Sequence, residues 1–179
     1  MTKQGTILIV DDNKGVLAAI DMLLSGTFKK VITISNPNRI PAMLEKENID
    51  IVLLEMNFSS GINNGNEGLF WMGEIRKISN DLPVVLFTAY ADIELAVKTV
   101  KEGATDFVVK PWDNAKLIAT LLSAYRLRQS QTEVKQLREK EVELKKQLTS
   151  GEELIWGDSP VMQQLHRLIE KVASTDANI

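Results

Sequence analysis

Five short apolar runs punctuate the chain, and between consecutive runs the apolar residues recur at helical spacing. The runs are Thr6–Val10, Val31–Ile34, Ile51–Leu54, Leu82–Phe87 and Asp106–Val109. Val16, Leu17, Ile20, Leu23 and Leu24 fill the first gap, with Asn13 placed to cap that helix and Gly26 to end it. Ile40, Met43 and Leu44 give a short helix within Asn36–Lys46. Leu69, Phe70, Met72 and Ile75 give another within Glu67–Ile78, and Ala91–Glu102 a further one stopped by Gly103. The Asn-, Ser- and Gly-rich stretch Asn57–Gly65 reads as a loop. Parallel strands need crossover connections, so this alternation predicts an α/β fold with a five-stranded parallel sheet. The unbroken run Ile51–Leu54 predicts a strand covered on both faces.

Right-handed crossovers leave few ways to wind such a sheet, and the flavodoxin-like order 2-1-3-4-5 is expected. Composition narrows the function. The 179 residues suffice for one domain with a core plus something smaller. Hydrophobic residues at 44% and charged residues at 25% fit an ordered globular chain. A formal charge of -3 exerts no global pull toward nucleic acid or an anionic membrane. The absence of cysteine excludes disulfides, thiolate catalysis and Cys-ligated zinc, and suits a reducing cytoplasm. The apolar runs are strand-sized and the N-terminus has no signal-peptide core, so a cytoplasmic protein with no membrane partner is expected.

In an open parallel sheet, ligand-binding groups collect at the carboxyl ends of the strands. Four strands deliver polar residues there: Asp11 and Asp12 after the first, Glu55 after the third, Thr88 after the fourth, Lys110 after the fifth. Three carboxylates against one ammonium call for a hard cation with oxygen ligands, and magnesium binds through one or two carboxylates, waters and phosphate oxygens. The Lys110 ammonium and the Thr88 hydroxyl are donors suited to an anion. The constellation predicts a site for a phosphoryl group beside Mg2+.

With these residues in place, residues 6 to about 125 resemble a two-component response regulator receiver domain, the CheY-like fold. The resemblance runs through Asp11-Asp12, the strand ending at position 55, Asn57, Thr88-Ala89, Phe107 and Lys110-Pro111. It implies that Asp11, Asp12, Glu55 and the Asn57 carbonyl hold Mg2+, Asp12 directly, and that Thr88 and Lys110 bind phosphoryl oxygens. It implies a cis Lys110-Pro111 peptide, a switch pair Thr88 and Phe107, and a sensor histidine kinase as partner. The chain departs from the family at the phosphoacceptor position, where the family has Asp and this chain has Glu55. One methylene moves the carboxylate by about 1.5 Å at most. A displacement of that size costs on the order of a hundredfold in near-attack geometry, so phosphotransfer to Glu55 should be poor. Its longer reach instead points a permanent negative charge toward Thr88 and Lys110. Glu55 is therefore expected to act as a phosphomimetic, the alternative being an inactive or degenerate receiver that serves as a dimerisation module.

From Asp113 the helical spacing continues without a stop signal to Thr149-Ser150-Gly151. Leu127, Ser130, Val134, Leu137, Glu141, Leu144 and Leu148 are separated by alternating threes and fours, a heptad seam with two polar positions. At about 1.5 Å per residue, a helix from Asp113 to Leu148 would be roughly 50 Å long. The charged flanks around the seam predict a parallel coiled-coil homodimer through 127–148. Three segments are thus expected: a receiver at 1–126, a coiled-coil linker helix at 127–150, and a third piece at 151–179. In that last piece Ser159 caps an amphipathic helix with Pro160 in its first turn.

Gly157-Asp158-Ser159-Pro160 followed by Met162, Leu165 and Ile169 resembles the start of the AAA+ domain of NtrC-like sigma-54-dependent transcriptional activators. That resemblance implies a chain cut before the ATPase core, with the AAA+ domain, sigma factor and DNA as partners of the full-length protein. The sequence carries no Gly-x-x-x-x-Gly-Lys-Ser/Thr loop, so no ATPase of its own is expected. A phosphatase with an aspartyl nucleophile would want Asp-x-Asp after the first strand, whereas Asp11 and Asp12 are adjacent. His166, the one histidine, is expected at a solvent edge, and Trp71, Trp112 and Trp156 are too scattered for a base-stacking platform.

Overall fold

A computed structural model describes residues 3–58, 66–88, 99–150 and 159–173. The order of elements is β1 (Gln4–Val10), α1 (Lys14–Leu24), β2 (Phe28–Ile34), a 3-10 turn (Pro37–Arg39), α2 (Ile40–Lys46), β3 (Ile51–Glu55), α3 (Asn66–Ile78), β4 (Val84–Thr88), β5 (Asp106–Val109), α4 (Asn114–Ser150) and α5 (Pro160–Ala173). The five strands form one sheet in the order β2-β1-β3-β4-β5, every pair parallel. Most of the loop expected at Asn57–Gly65, and residues 91–98 of the helix expected at Ala91–Glu102, lie outside the described residues.

Side-chain alternation along the strands divides the core in two. Ile7, Ile9, Ile51, Leu53, Val85 and Phe87 pack with Leu17, Ile20 and Leu24 of α1 and Leu117, Leu121 and Ala124 of α4. Leu8, Val10, Val52, Leu54, Val84 and Leu86 pack with Ile40 of α2 and Met72 and Ile75 of α3 on the other face. β3 is therefore covered on both sides, and Ile51 through Leu54 are all at 0% exposure. Each such side chain contributes about 1.5–3 kcal/mol relative to an exposed one, which makes β3 the best-anchored strand and a stiff mount for its last residue, Glu55.

Several local features differ from the sequence reading. β2 begins at Phe28, earlier than expected, because Lys29 and Lys30 are exposed and interrupt the apolar pattern of an edge strand. α1 is capped as expected by the Asn13 side chain, which accepts from the Gly15 and Val16 amides. It ends as expected just before Gly26: Ser25 is the C-cap, its amide and hydroxyl both donating to the Asp21 carbonyl. The first turn after Asn36 is a 3-10 turn, and α2 itself starts only at Ile40. Gly103 does stand at a positive φ of 105°, the only such residue among those described, with the Arg76 guanidinium donating to its carbonyl. A side chain at that φ is strained, so glycine is required there.

The chain divides into two compact units, Met1–Val134 and Lys135–Ile179. α4 runs through that boundary in sequence and starts one residue later than expected. Asp113 caps it, its Oδ1 accepting from the Lys116 amide at 2.8 Å and its carbonyl from Leu117 at 2.9 Å. Leu117 and Leu121 are fully buried, whereas Leu127, Val134, Leu137 and Leu144 are each about half exposed or more, at 47%, 47%, 59% and 59%. In the second unit Ser159 caps α5 through its hydroxyl, which accepts from Met162 at 3.3 Å. Among the described residues no helix is long and apolar enough to cross a membrane.

Candidate functional site

Strand register brings the polar residues together. Val10 pairs with Leu54, so Asp11 follows β1 beside the end of β3, where Glu55 stands. Thr88 pairs with Val109, so Lys110 follows β5 beside the end of β4. The Lys110 amide donates to the Thr88 carbonyl at 2.7 Å, which extends that pairing by one bond. The Lys110-Pro111 peptide is cis, as the resemblance implied.

Lys110 is the hub of the site. Its ammonium pairs with Asp11 Oδ2 at 2.6 Å and with Glu55 Oε2. The remaining oxygens of both acids are held by backbone. Asp11 Oδ1 accepts from the Asn13 amide at 2.8 Å. Glu55 Oε1 accepts from the amides of Met56 at 2.8 Å and Asn57 at 3.1 Å. Asp11 and Glu55 are buried, at 0% and 4% exposure, and Thr88 is buried with them at 4%. Asp12, the next residue after β1, is exposed.

Two buried carboxylates facing one ammonium set the electrostatics. Burial pushes the Glu55 carboxyl above the usual carboxylate range, more than the hydrogen bond and charge of Lys110 pull it down. For Lys110, burial works to lower the ammonium, but the hydrogen bonds it donates to Asp11 and Glu55, with their negative charge, outweigh it and the net direction is up. The Lys110 ammonium is thus held in its charged form. Lys110 Nζ also lies 4.5 Å from the centroid of the Phe87 ring, a favourable cation–π distance. Phe87 in turn contacts Trp112, ring centroids 5.2 Å apart.

Phe107 is half-buried, packed against the core cluster that faces α2 and α3. Three residues at the site were not singled out from sequence. Phe87 was read only as strand core. Glu67 accepts from the Phe58 amide at 2.9 Å, and the Gly68 amide donates to the Met56 carbonyl at 2.9 Å. A Cβ on Gly68 would fall 2.7 Å from Met56 Cα, so glycine lets the first turn of α3 press against the segment that follows Glu55. The signal available was the Glu-Gly pair at the start of a helix, where glycine is otherwise unfavourable.

The model of the response regulator receiver domain matches residues 7–122. The chain belongs to the response regulator receiver family. Its curated relatives run along nearly all of this receiver and the residues after it. The DNA-binding transcriptional regulator NtrC of Salmonella typhimurium is 24% identical over 177 residues, 99% of this chain and 35% of that protein. The alginate biosynthesis transcriptional regulatory protein AlgB of Pseudomonas aeruginosa is 28% identical over 179 residues, 99% of this chain and 37% of that protein. The receiver chain therefore spans just over a third of the length of these relatives. Among solved structures, the N-terminal signal receiver domain of a two-component response regulator from Bacteroides fragilis is 61% identical, with a TM-score of 0.62, covering 69% of this chain and 98% of that one. NtrX from Brucella abortus, solved with ADP, is 28% identical with a TM-score of 0.67 and covers 96% of this chain and 36% of its own.

Receivers bind magnesium at their acidic pocket and act as partners of sensor histidine kinases. Among the described residues no three acidic or histidine side chains are close enough to hold a metal by themselves. The donor set nevertheless suits magnesium, which needs only one or two carboxylates and completes its shell with waters and phosphate oxygens. The all-oxygen carboxylates of Asp11 and Glu55 at the strand ends, with Asp12 exposed next in sequence to Asp11, are of the donor type a hard divalent cation takes.

Proposed function

We propose that this receiver is the switch of a two-component activator and that Glu55 stands in for a phosphorylated aspartate. The contact between Glu55 and the Lys110 ammonium supports this reading, because a permanent carboxylate occupies the ammonium that would otherwise hold a phosphoryl oxygen. The substitution is partial. A phosphoryl group carries roughly -1.5 to -2 charge and three acceptor oxygens, against one charge and two oxygens for Glu55. Lys110 orients the Glu55 carboxylate, the Met56 and Asn57 amides hold its second oxygen, and Thr88 supplies a hydroxyl at the same strand end. Mg2+ would be held by Asp12, Asp11, Glu55 and the Asn57 carbonyl. When bound it supplies neutralising charge to the pocket. Thr88 and Phe107 form the pair whose side-chain positions report the switch state.

The test compares the chain with Glu55→Asp. Acetyl phosphate should label the Asp variant in the presence of magnesium and leave the Glu55 chain unlabelled. Structures of the Asp variant with beryllofluoride and of the Glu55 chain should then share the same Thr88 and Phe107 rotamers. An outward Phe107 with Thr88 turned away in the Glu55 chain alone would overturn the mimic and leave a receiver fixed at rest.

Downstream, we propose that the exposed seam of α4 joins two copies of the chain, and that residues 151–179 begin a AAA+ domain like that of sigma-54-dependent activators. In a full-length protein the receiver would govern that ATPase through dimer geometry, with sigma factor and DNA as its further partners and the cytoplasm as its compartment. The even spread of apolar seam residues along α4 favours this arrangement over a solvated single helix. A monomer at tens of micromolar by analytical ultracentrifugation would exclude it.

A further inference from the structure

Lys110 reaches Glu55 across a strand that lies between them. In the order β1-β3-β4-β5 the lysine follows β5, Glu55 ends β3, and β4 separates the two. Adjacent strands stand about 4.8 Å apart, so the side chains of Lys110 and Glu55 meet over β4. The β4 residue paired with Glu55 is Phe87. Phe87 follows Val85 into the core facing α1 and α4, and Glu55 follows Ile51 and Leu53 onto the same face of the sheet. The Phe87 ring is 1% exposed and is wedged between that core and the Trp112 indole, which fixes its plane. The Lys110 ammonium lies over this ring, 4.5 Å from its centroid, while it bonds Asp11 Oδ2 and Glu55 Oε2.

We propose that Phe87 is a positioning residue for Lys110: the negative face of its ring holds the ammonium level with Asp11 and Glu55 and leaves the N–H groups to oxygen acceptors. A cation over an aromatic face is attracted electrostatically, more strongly where water is excluded. The Lys110 side chain is only 18% exposed. The ring attracts without bringing a charge. A third carboxylate in its place would repel the two acids already there and compete with any anion for the N–H groups. A leucine would fill the space but offer the ammonium no attraction on that side, so the two acids alone would set its place. Phe87 therefore governs where the donor stands. The consequence for capture of a phosphoryl oxygen rests on the function proposed above, whereas the place of the ammonium does not.

Site-specific replacement of Phe87 by mono-, di- and trifluorophenylalanine drains charge from the ring face step by step at nearly constant shape. Exchange of the Lys110 ammonium protons with water, followed by NMR in the Glu55 chain, should quicken with each fluorine. At the third it should have risen roughly five- to thirtyfold, the worth of one desolvated cation–π contact. Acetyl phosphate labelling of Glu55→Asp with magnesium should slow in the same order. The series repeated in Trp112→Leu separates the ammonium contact from the ring–ring one, and the response to fluorine should persist there. Exchange that is unchanged across the series, or a response lost with Trp112, would overturn the positioning role, because a ring that only fills space is indifferent to its charge distribution. Labelling that stays constant while exchange quickens would overturn the part of Phe87 in phosphoryl capture. Labelling that fails even with unmodified Phe87 would overturn the proposed phosphoryl site instead, and the exchange series would still decide the place of the ammonium.

Discussion

Lys110→Met gives the sharpest test of the electrostatics. The substitution keeps most of the apolar stem of the side chain and removes the ammonium that Asp11 and Glu55 share and that lies over Phe87. Side chains of both acids are almost wholly buried, at 1% and 5% exposure, so neither can recover its counter-charge from water. Removing one partner of a buried ion pair costs about 3–5 kcal/mol. That is a large share of the roughly 5–15 kcal/mol that holds a domain folded. The sign of the pH dependence follows from Glu55. Burial already raises its carboxyl, and Lys110 supplies the two largest opposing contributions, so the variant's Glu55 rises further. A group whose folded pKa is raised contributes stability that is fully present below its unfolded value and is lost as pH rises through the folded one. Lys110 in the unaltered chain stays charged across this range, its own pKa being raised. The deficit of the variant should therefore be largest at about pH 7.5 and shrink toward pH 5. Urea denaturation followed by circular dichroism at the two pH values, without added metal, measures it. A loss below about 1 kcal/mol at the higher pH, or a deficit that grows on acidification, would refute the shared-ammonium account.

Three further expectations are independent of that one. Gly68→Ala must displace the backbone after Glu55 and should cost about 1–3 kcal/mol in urea denaturation, as overpacking does; an unchanged midpoint would show that α3 is not pressed against Met56. Asp12→Ala, at an exposed position, should change stability by no more than about 0.5 kcal/mol without metal, yet abolish the rise in melting temperature that magnesium gives; survival of that rise would remove Asp12 from the metal shell. Leu137→Asp should abolish self-association in sedimentation while leaving the melting temperature of the receiver within a degree or two, because Leu137 lies in the second unit and is 59% exposed; a persistent dimer would place the interface elsewhere.

The sheet was legible because four of its strands are nearly pure apolar runs and because Asn13 and Ser159 announce their helices by side-chain chemistry alone. β2 was read short because an edge strand can carry lysines on its open side, and Lys29-Lys30 breaks a pattern made for central strands. Gly26 marks the end of α1 from the position after the C-cap, whereas Gly103 is the glycine with a positive φ. At the site, residue types and strand ends identified Asp11, Glu55, Thr88 and Lys110, since topology alone gathers them. Which acid is buried, and that one ammonium serves both Asp11 and Glu55, depends on the local backbone and side-chain length and is not written in spacing. Gly68 was invisible for the same reason: its role is a distance to a backbone atom twelve positions earlier in the chain.

Phe87 belongs to the core and to the pocket at once. Its ring fills space between the sheet and the helices α1 and α4, and it also meets the Lys110 ammonium and the Trp112 indole. Trp112 lies two residues before α4 begins, and its Nε1 donates to Asn114 Oδ1 at 3.0 Å in the first residue of that helix. A displacement of the charge at Lys110 therefore changes the electric field at an indole seated at the root of the helix. The protein carries its own optical gauge: Trp112 emission is expected to track what occupies the pocket, and identical emission before and after Lys110→Met would withdraw that use of it.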